Sequence, residues 1–177
     1  MKIKVLLIVA LFSFLNSYGQ SFEKLLYSKK DKPTVLINKN IIANFELIEQ
    51  IPDSKIIKME VMKTAQKELD QYAKTYPNLG EYGLILVEMT FGKLDTKTQN
   101  EIRKFLDADT KTKIYIDGFL LMNEDYVIAT KSIKEIEFIS PNEQNLNEEK
   151  VINIWTLEKD RRLGDLKIDS KRLQKAL

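Results

Sequence analysis

The chain has 177 residues, of which 28 are basic and 26 acidic, and it contains neither cysteine nor histidine. The missing residue types exclude disulfides, a thiol nucleophile, the commonest general base and most zinc ligands. Composition therefore lowers the expectation of an enzyme, and we predict a non-enzymatic protein without cofactor or metal. The ordinary apolar fraction predicts a folded chain with its own core.

The N-terminus has the three parts of a secretory signal peptide. Residues 1–4 contain two lysines, residues 5–15 form an apolar run broken by one serine, and Ser17 and Gly19 form a small-x-small exit. The run is shorter than the ~20 apolar residues that a spanning helix needs. We predict cleavage after Gly19, which leaves Gln20 as the mature N-terminus.

Removal of this segment changes the charge of the protein. Two of the 28 basic residues lie within it and no acidic residue does, so 26 basic face 26 acidic residues. A neutral chain argues against nucleic acid as the partner. Without cysteine there is no site for a lipoprotein lipid, and no later segment is apolar enough to span a membrane. The expected location is the periplasm or the extracellular space.

The first folded unit is predicted from the alternation of apolar and polar residues. In its first long strand Ile57, Met59 and Val61 share one face, and Lys58 and Glu60 share the other. The predicted elements are a hairpin at 34–37 and 41–42, a short helix capped by Asn44, that strand at 55–62, a helix at 64–76 and a buried strand at 84–90.

A linker helix is predicted over residues 95–107. Thr98 followed by Glu101 has the spacing of a capping box, in which each residue's side chain bonds the other's backbone. The apolar stripe of this helix is formed by Ile102, Phe105 and Leu106.

The order of elements then recurs. The turn of the second hairpin is Asp117-Gly118, a strong hairpin signal. The repeated elements are a hairpin at 113–121, a short helix at 123–129, an alternating strand at 132–139 and a strand at 151–157, with a polar loop at 141–150 in place of the long helix. Five features in the same order favour an internal duplication over chance likeness.

Four segments of the first copy, at 35–39, 51–56, 60–63 and 82–87, form an ordered set of motifs, of which the second copy keeps 116–118 and 132–137. They resemble the plug domain of TonB-dependent outer-membrane receptors of Bacteroidota. That family has a strand ending Val-Asp-Gly, an Ile-x-Pro-x-Asp-Ile motif, a strand ending Val-Leu-Lys and a Tyr-Gly step into a last strand. Asn38-Lys39 departs from Asp-Gly, the crossover helix is longer, and no barrel follows. The resemblance implies a plug-like fold and not transport.

The predicted fold is α+β, with small mixed sheets built from two duplicated hairpin–helix–strand–crossover–strand units. The predicted organisation is a signal peptide at 1–19, a lead-in arm at 20–33, a first plug-like unit at 34–92, a linker helix at 93–111, a second plug-like unit at 112–159 and a basic tail at 160–177.

Candidate contact residues lie near the C-terminus. Trp155, the single tryptophan, is either a binding hot spot or a core residue, and core packing is favoured. The tail is either a basic helix that seeks an acidic partner or a solvated terminus. The basic candidates for partner contact are Arg161, Arg162, Lys171 and Arg172.

Other clusters have plainer interpretations. Tyr72 and Tyr76 have helical spacing, which favours core packing over ligand stacking. An acidic cluster at Glu46, Glu49 and Asp53 is expected to be solvated rather than catalytic or metal-binding. Turn and cap chemistry explains Asp107, Asp109 and Asp117 better than a calcium loop does.

Two functions follow from these features. The first is an exported interaction module that binds another envelope protein through an exposed strand edge. The alternative is a secreted small-ligand binder or hydrolase that uses carboxylate and tyrosine residues, which requires a concave pocket.

Overall fold

The computed structural model describes residues 25, 33–63, 72, 76, 82–90, 94–141 and 147–162. The predicted signal peptide, most of the helix at 64–76 and the tail after residue 162 lie outside the described residues. Within them the chain is α+β and is built on two mixed sheets. The predicted fold class is confirmed.

The first sheet has six strands in the order β3-β4-β1-β2-β8-β5, and the second has four in the order β7-β6-β10-β9. The strands are β1 (Thr34–Ile37), β2 (Ile41–Ala43), β3 (Ile56–Met62), β4 (Leu84–Met89), β5 (Thr96–Thr98), β6 (Ile114–Ile116), β7 (Phe119–Leu120), β8 (Val127–Ala129), β9 (Glu135–Ile139) and β10 (Val151–Trp155). The helices are α1 (Phe45–Glu49), α2 (Gln99–Phe105) and α3 (Lys159–Arg162), and 3₁₀ turns occur at Asp53–Lys55 and Thr130–Ser132.

The predicted repeat is present in the strand order. In the first sheet β1 pairs antiparallel with β2 and parallel with β4, which pairs antiparallel with β3. In the second sheet β6 pairs in the same way with β7 and β10, and β10 with β9. We call β1–β4 unit 1, and we call the segment from β6 to Thr156 unit 2, in which β6, β7, β9 and β10 repeat the strands of unit 1. Each unit alone would bury little core, and the two share one.

The hairpin turns of the two units share a pair of residues with positive φ. These are Asn38 and Lys39 in unit 1 and Asp117 and Gly118 in unit 2. Two successive residues with positive φ are typical of a type I′ turn, which matches the twist of the strands it joins. The loop of unit 1 is one residue longer, because Ile37 pairs with Ile41 whereas Ile116 pairs with Phe119.

One element of unit 2 differs from the prediction. Residues 123–129 do not form a helix: Val127–Ala129 is strand β8, which pairs parallel with β2 of unit 1. A three-residue strand carries too little periodicity to be recognised, and the open edge of β2 decides its conformation. Strand β5 extends the sheet by pairing with β8.

The predicted linker helix is shorter than expected. Residues 96–98 form β5, and α2 begins only at Gln99. The capping box is confirmed, because Thr98 Oγ1 accepts from the Glu101 N–H at 3.1 Å and Glu101 Oε2 accepts from the Thr98 N–H at 2.8 Å. The stripe is only partly as predicted, since Ile102 is buried but Phe105 is exposed.

The back face of unit 1 packs on the front face of unit 2. Alternate residues of each unit face opposite sides, which we call front and back. The front face comprises Val35, Ile37, Ile85 and Val87 in unit 1 and the equivalent Ile114, Ile116, Ile152 and Ile154 in unit 2. The largest core cluster joins the back of unit 1, through Leu36, Ile42 and Leu84, to the front of unit 2.

Different segments cover the two outer faces, which are the front of unit 1 and the back of unit 2. Leu47 and Ile48 of α1 pack on the front face of unit 1. Asn44 caps α1 as predicted, since its Oδ1 accepts from the Leu47 N–H. On the back of unit 2, Leu25 packs against Tyr115 and its N–H donates to the Gly118 carbonyl at 2.8 Å.

Candidate functional site

Strand β3 lies at one end of the six-stranded sheet and is the longest of the described strands. Five of its seven residues are exposed. Among the residues that the structure describes, no strand pairs with its outer side. An edge of this kind presents unpaired backbone N–H and C=O groups to another strand.

The other described sheet edges offer less. Strand β5 has only three residues, two of them exposed, and β7 has two residues, which are both buried. Strand β9, the unit 2 equivalent of β3, has five residues, of which only Phe138 is exposed. The edge at β3 is therefore the most accessible one in the described part of the chain.

One side of β3 is an uncovered apolar row. Ile57 is 60%, Met59 44% and Val61 58% exposed. Met59 and Val61 pair directly with Val87 and Ile85 and continue the front face of unit 1. Ile57 has no partner in β4, because the β-bulge falls there, and it also lines the cleft beside Lys58 and Glu60. The cluster around α1 covers that face over β1 and β4 and reaches Ile56, but it leaves Met59 and Val61 bare. A contiguous exposed apolar row on a charge-rich surface is typical of an interaction site.

The other side of β3 is charged but locally neutral. Lys58 Nζ lies 3.0 Å from Glu60 Oε2, and both side chains are exposed. Beside them is a cleft of about 440 Å³ with Leu36 and Leu86 among its lining residues. The polar groups around the cleft belong to Asn38, Lys39, Lys58, Glu60 and Glu88.

Tyr72 lies near Glu60, on the charged side of β3. Burial raises the pKa of its hydroxyl, and the nearby Tyr126 and Glu60 raise it further. Tyr76 is fully buried, and its hydroxyl donates to the Ile116 carbonyl at 3.2 Å. Tyr72 packs against the same core cluster that contains Tyr76.

Trp155 and Arg162 contact each other inside the protein. Trp155 is 8% exposed, and its Nε1 donates to Glu137 Oε2 at 2.8 Å. The Arg162 guanidinium carbon lies 4.6 Å from the centre of the indole ring. Arg162 also donates to the Leu157 carbonyl and pairs with Glu135, whose carboxyl pKa it lowers. Both side chains are thus engaged within the chain.

The structure says less about the remaining predicted contacts. Arg161 lies in helix α3. Lys171 and Arg172, like Gly19 and Gln20, lie outside the described residues.

The acidic cluster predicted at Glu46, Glu49 and Asp53 lies at the surface, where Glu49 and Asp53 are exposed. Glu46 pairs with Lys134 at 2.7 Å, and this pairing and that with Glu158 raise the pKa of the Lys134 amine. Asp107 is the positive-φ residue that ends α2, where Ala108 N–H donates to the Arg103 carbonyl. Within the described ranges no group of three or more acidic side chains is placed to hold a metal ion.

A buried polar network joins the two units. Asp117 accepts from both the N–H and the hydroxyl of Thr156 at 2.7 Å. The Thr156 carbonyl accepts from Asn44 Nδ2 at 3.1 Å, and the Asn44 N–H donates to Ser132 Oγ at 3.0 Å. Asn44 therefore ties the cap of α1 to two segments of unit 2.

Sequence reasoning found the alternation in β3 but missed its exposure. A period of two separates the faces of a strand without showing which face is covered. The missing information is strand order. The row on β3 is exposed because β3 lies at the edge of the sheet and α1 is too short to cover it.

No family model, curated protein or solved structure matches the chain. In the described part of the chain, none of the helices combines the length and the apolar character that crossing a bilayer requires.

Proposed function

We propose that the protein is an exported, non-enzymatic interaction module of the cell envelope that binds another envelope protein by accepting a strand along β3. The single observation that carries this proposal is the edge strand with its uncovered row of Ile57, Met59 and Val61. In strand addition, main-chain hydrogen bonds supply affinity and alternate side chains supply specificity. The plug-like order of phrases in unit 1 and the signal-like N-terminus support an envelope setting.

The chemistry of β3 suits a neutral, apolar partner strand. The Lys58–Glu60 pair leaves no net charge on the strand, so an incoming strand meets no electrostatic barrier. The expected partner strand alternates apolar residues on the side facing Ile57, Met59 and Val61.

The repeated strand arrangement supplies a matched pair of variants for the test. Val61 and Phe138 lie at equivalent positions, opposite Ile85 and Ile152, and both are exposed. We expect Val61→Lys to abolish retention of an envelope protein from detergent-solubilised envelopes at moderate salt, and Phe138→Lys to leave it unchanged. Hydrogen exchange should then show β3 amides protected when the purified partner is added. Equal retention by both variants, or unchanged exchange in β3, would contradict the proposal.

Export has its own test. The protein recovered from the periplasm or medium of an expressing bacterium is expected to begin at Gln20 when sequenced from its N-terminus. A product that retains residues 1–19 would contradict the predicted cleavage.

A second candidate, a secreted small-ligand binder or hydrolase, is favoured by the cleft beside β3. Its volume of about 440 Å³ falls within the range of ligand sites, and Glu60 and Glu88 lie on its wall. Under this alternative, Leu86→Trp should fill the cleft and abolish the chemical-shift changes that a bound small molecule produces in β4. It should leave retention of an envelope protein through β3 intact.

A further inference from the structure

We infer that β3 pairs with the β3 of a second copy of this chain, antiparallel and in the register that places Met59 opposite Met59. The inference rests on the proposed function, because it takes β3 as a strand-accepting edge. The second copy occupies that edge in the free protein, and the strand of an envelope protein replaces it there, so the two occupants exclude each other. It is carried by the order of residues along β3, which is complementary to itself.

The register follows from the pairing rules of antiparallel strands. Directly opposite residues lie on the same side of a sheet, and their Cβ atoms approach to about 4.5–5.5 Å. With Met59 at the centre, Lys58 of each copy lies opposite Glu60 of the other. On the other side Met59 lies opposite Met59, and Val61 faces Ile57, where the β-bulge ends the regular register. Both charges therefore meet their opposites, and the apolar residues meet apolar residues.

Neighbouring registers lack this match. A register centred on Lys58 places two lysines opposite each other, and one centred on Glu60 does the same with two glutamates. Like charges directly opposite each other are destabilising. A shift by one residue would place the apolar row against the charged side, because side chains alternate along a strand. One register therefore satisfies both sides of β3.

The features that usually protect an edge are weak here. A β-bulge interrupts the pairing of β3 with β4 between Ile56 and Lys58, but from Lys58 to Met62 the register is continuous. Lysine on an edge strand repels strands when it is unpaired. Lys58 already has Glu60 beside it, both exposed, and such a surface pair contributes little to stability. It can therefore be exchanged for two pairs between copies at small cost.

The resulting dimer is closed and symmetric. A two-fold axis passes between the two Met59 residues perpendicular to the sheet, and each copy uses the same patch. The six-stranded sheets join into one continuous sheet, and the two apolar rows merge on the front side. No edge at β3 remains open, so self-pairing also prevents growth into longer assemblies.

Charge reversal tests the register directly. Sedimentation equilibrium of the purified protein is expected to give a dimer. Lys58→Glu and Glu60→Lys each place like charges opposite each other twice, and each is expected to raise the dimer dissociation constant by about tenfold or more. The double variant Lys58→Glu/Glu60→Lys restores both pairs and is expected to restore the dimer. Lys97→Glu on β5, an exposed lysine at the other edge of the same sheet, is expected to have no effect.

Several outcomes would overturn the inference. These are a monomer at every soluble concentration, a dimer indifferent to the single reversals, or a double variant that fails to recover. Thermal unfolding of each variant separates loss of folding from loss of pairing, and the double variant keeps the test decisive if one single variant is unstable.

Failure of the inference differs from failure of the proposed function. If the protein is a monomer and retains an envelope protein through Val61, only the self-pairing is disproved. A dimer that responds to charge reversal but retains no envelope protein removes the proposed partner and keeps the self-pairing.

Discussion

The side chains of Asn38 and Asp117 make the same connection in the two units. Asn38 Oδ1 accepts a hydrogen bond from the Met89 N–H at 3.0 Å, and Asp117 Oδ1 accepts one from the Thr156 N–H at 2.7 Å. Each acceptor is the first of two successive turn residues with positive φ. The donors lie at the ends of the last strands, since Met89 is the final residue of β4 and Thr156 follows β10. The correspondence extends the repeat from strand order to individual atoms.

Loss of the Asp117 carboxylate is expected to be costly. Asp117→Ala leaves the N–H and the hydroxyl of buried Thr156 without these acceptors. We expect the free energy of unfolding to fall by about 2–4 kcal/mol. Asn38→Ala is the matched control, because its bonds are only partly buried, and about 1 kcal/mol is expected there. Urea denaturation measures both, and equal losses would contradict the argument.

Lys39 is expected to be a site where stability can be gained. Its φ of 73° lies in the left-handed region, which costs a residue with a side chain roughly 1–2 kcal/mol. Unit 2 has Gly118 at the equivalent turn position. We expect Lys39→Gly to raise the free energy of unfolding by about 1 kcal/mol. Lys39→Ala keeps the Cβ atom and should bring no such gain, so a gain from alanine equal to that from glycine would count against backbone strain.

Asn44 is expected to matter more than an ordinary helix cap. Besides capping α1 it donates to the Thr156 carbonyl and exchanges hydrogen bonds with Ser132. We expect Asn44→Ala to cost about 2–4 kcal/mol. Thr98→Ala removes an exposed cap of α2 and should cost about 1 kcal/mol. Chemical denaturation of the two variants gives the comparison, which fails if the losses are alike.

The pairing of Glu135 with Arg162 predicts a pH dependence at the acid end. Hydrogen bonding to Arg162 and then Lys159 lowers the pKa of Glu135 from 4.5. Its stabilisation is therefore complete above the unfolded-state pKa and is lost as pH falls through the lower folded-state pKa. The wild type should exceed Glu135→Gln in stability at pH 7, and the difference should shrink below about pH 4.5. Denaturation at a series of pH values measures this, and a difference that grows on acidification would contradict it.

Much of the strand pattern could be predicted because it is local. Alternating or continuous apolar residues indicated the strands of both units, and Asp117-Gly118 indicated the turn of the second hairpin. Asn44 and Thr98 were recognised as caps because the side chain of a cap bonds to a backbone N–H only three residues away. Each of these signals lies within a few residues of the structure it determines.

The errors share a different origin. Strand β8 is held by β2, and β5 is held by β8, so neither could be recognised from its own three residues. The bare row on β3 likewise depends on where α1 ends. The candidate site is therefore a product of strand order, which no local pattern encodes.

The pairing of β8 with β2 has a consequence for how the chain folds. Asn44 and Ser132, which flank these strands and bond to each other, are 88 residues apart. Parallel pairing of distant segments is slow, because the chain loses loop entropy before the contacts form. The sheet of unit 1 is completed only when a segment of unit 2 has been synthesised. We therefore expect a single cooperative and comparatively slow folding transition. Until β8 has been synthesised, the edge of β2 stays open and accessible to chaperones.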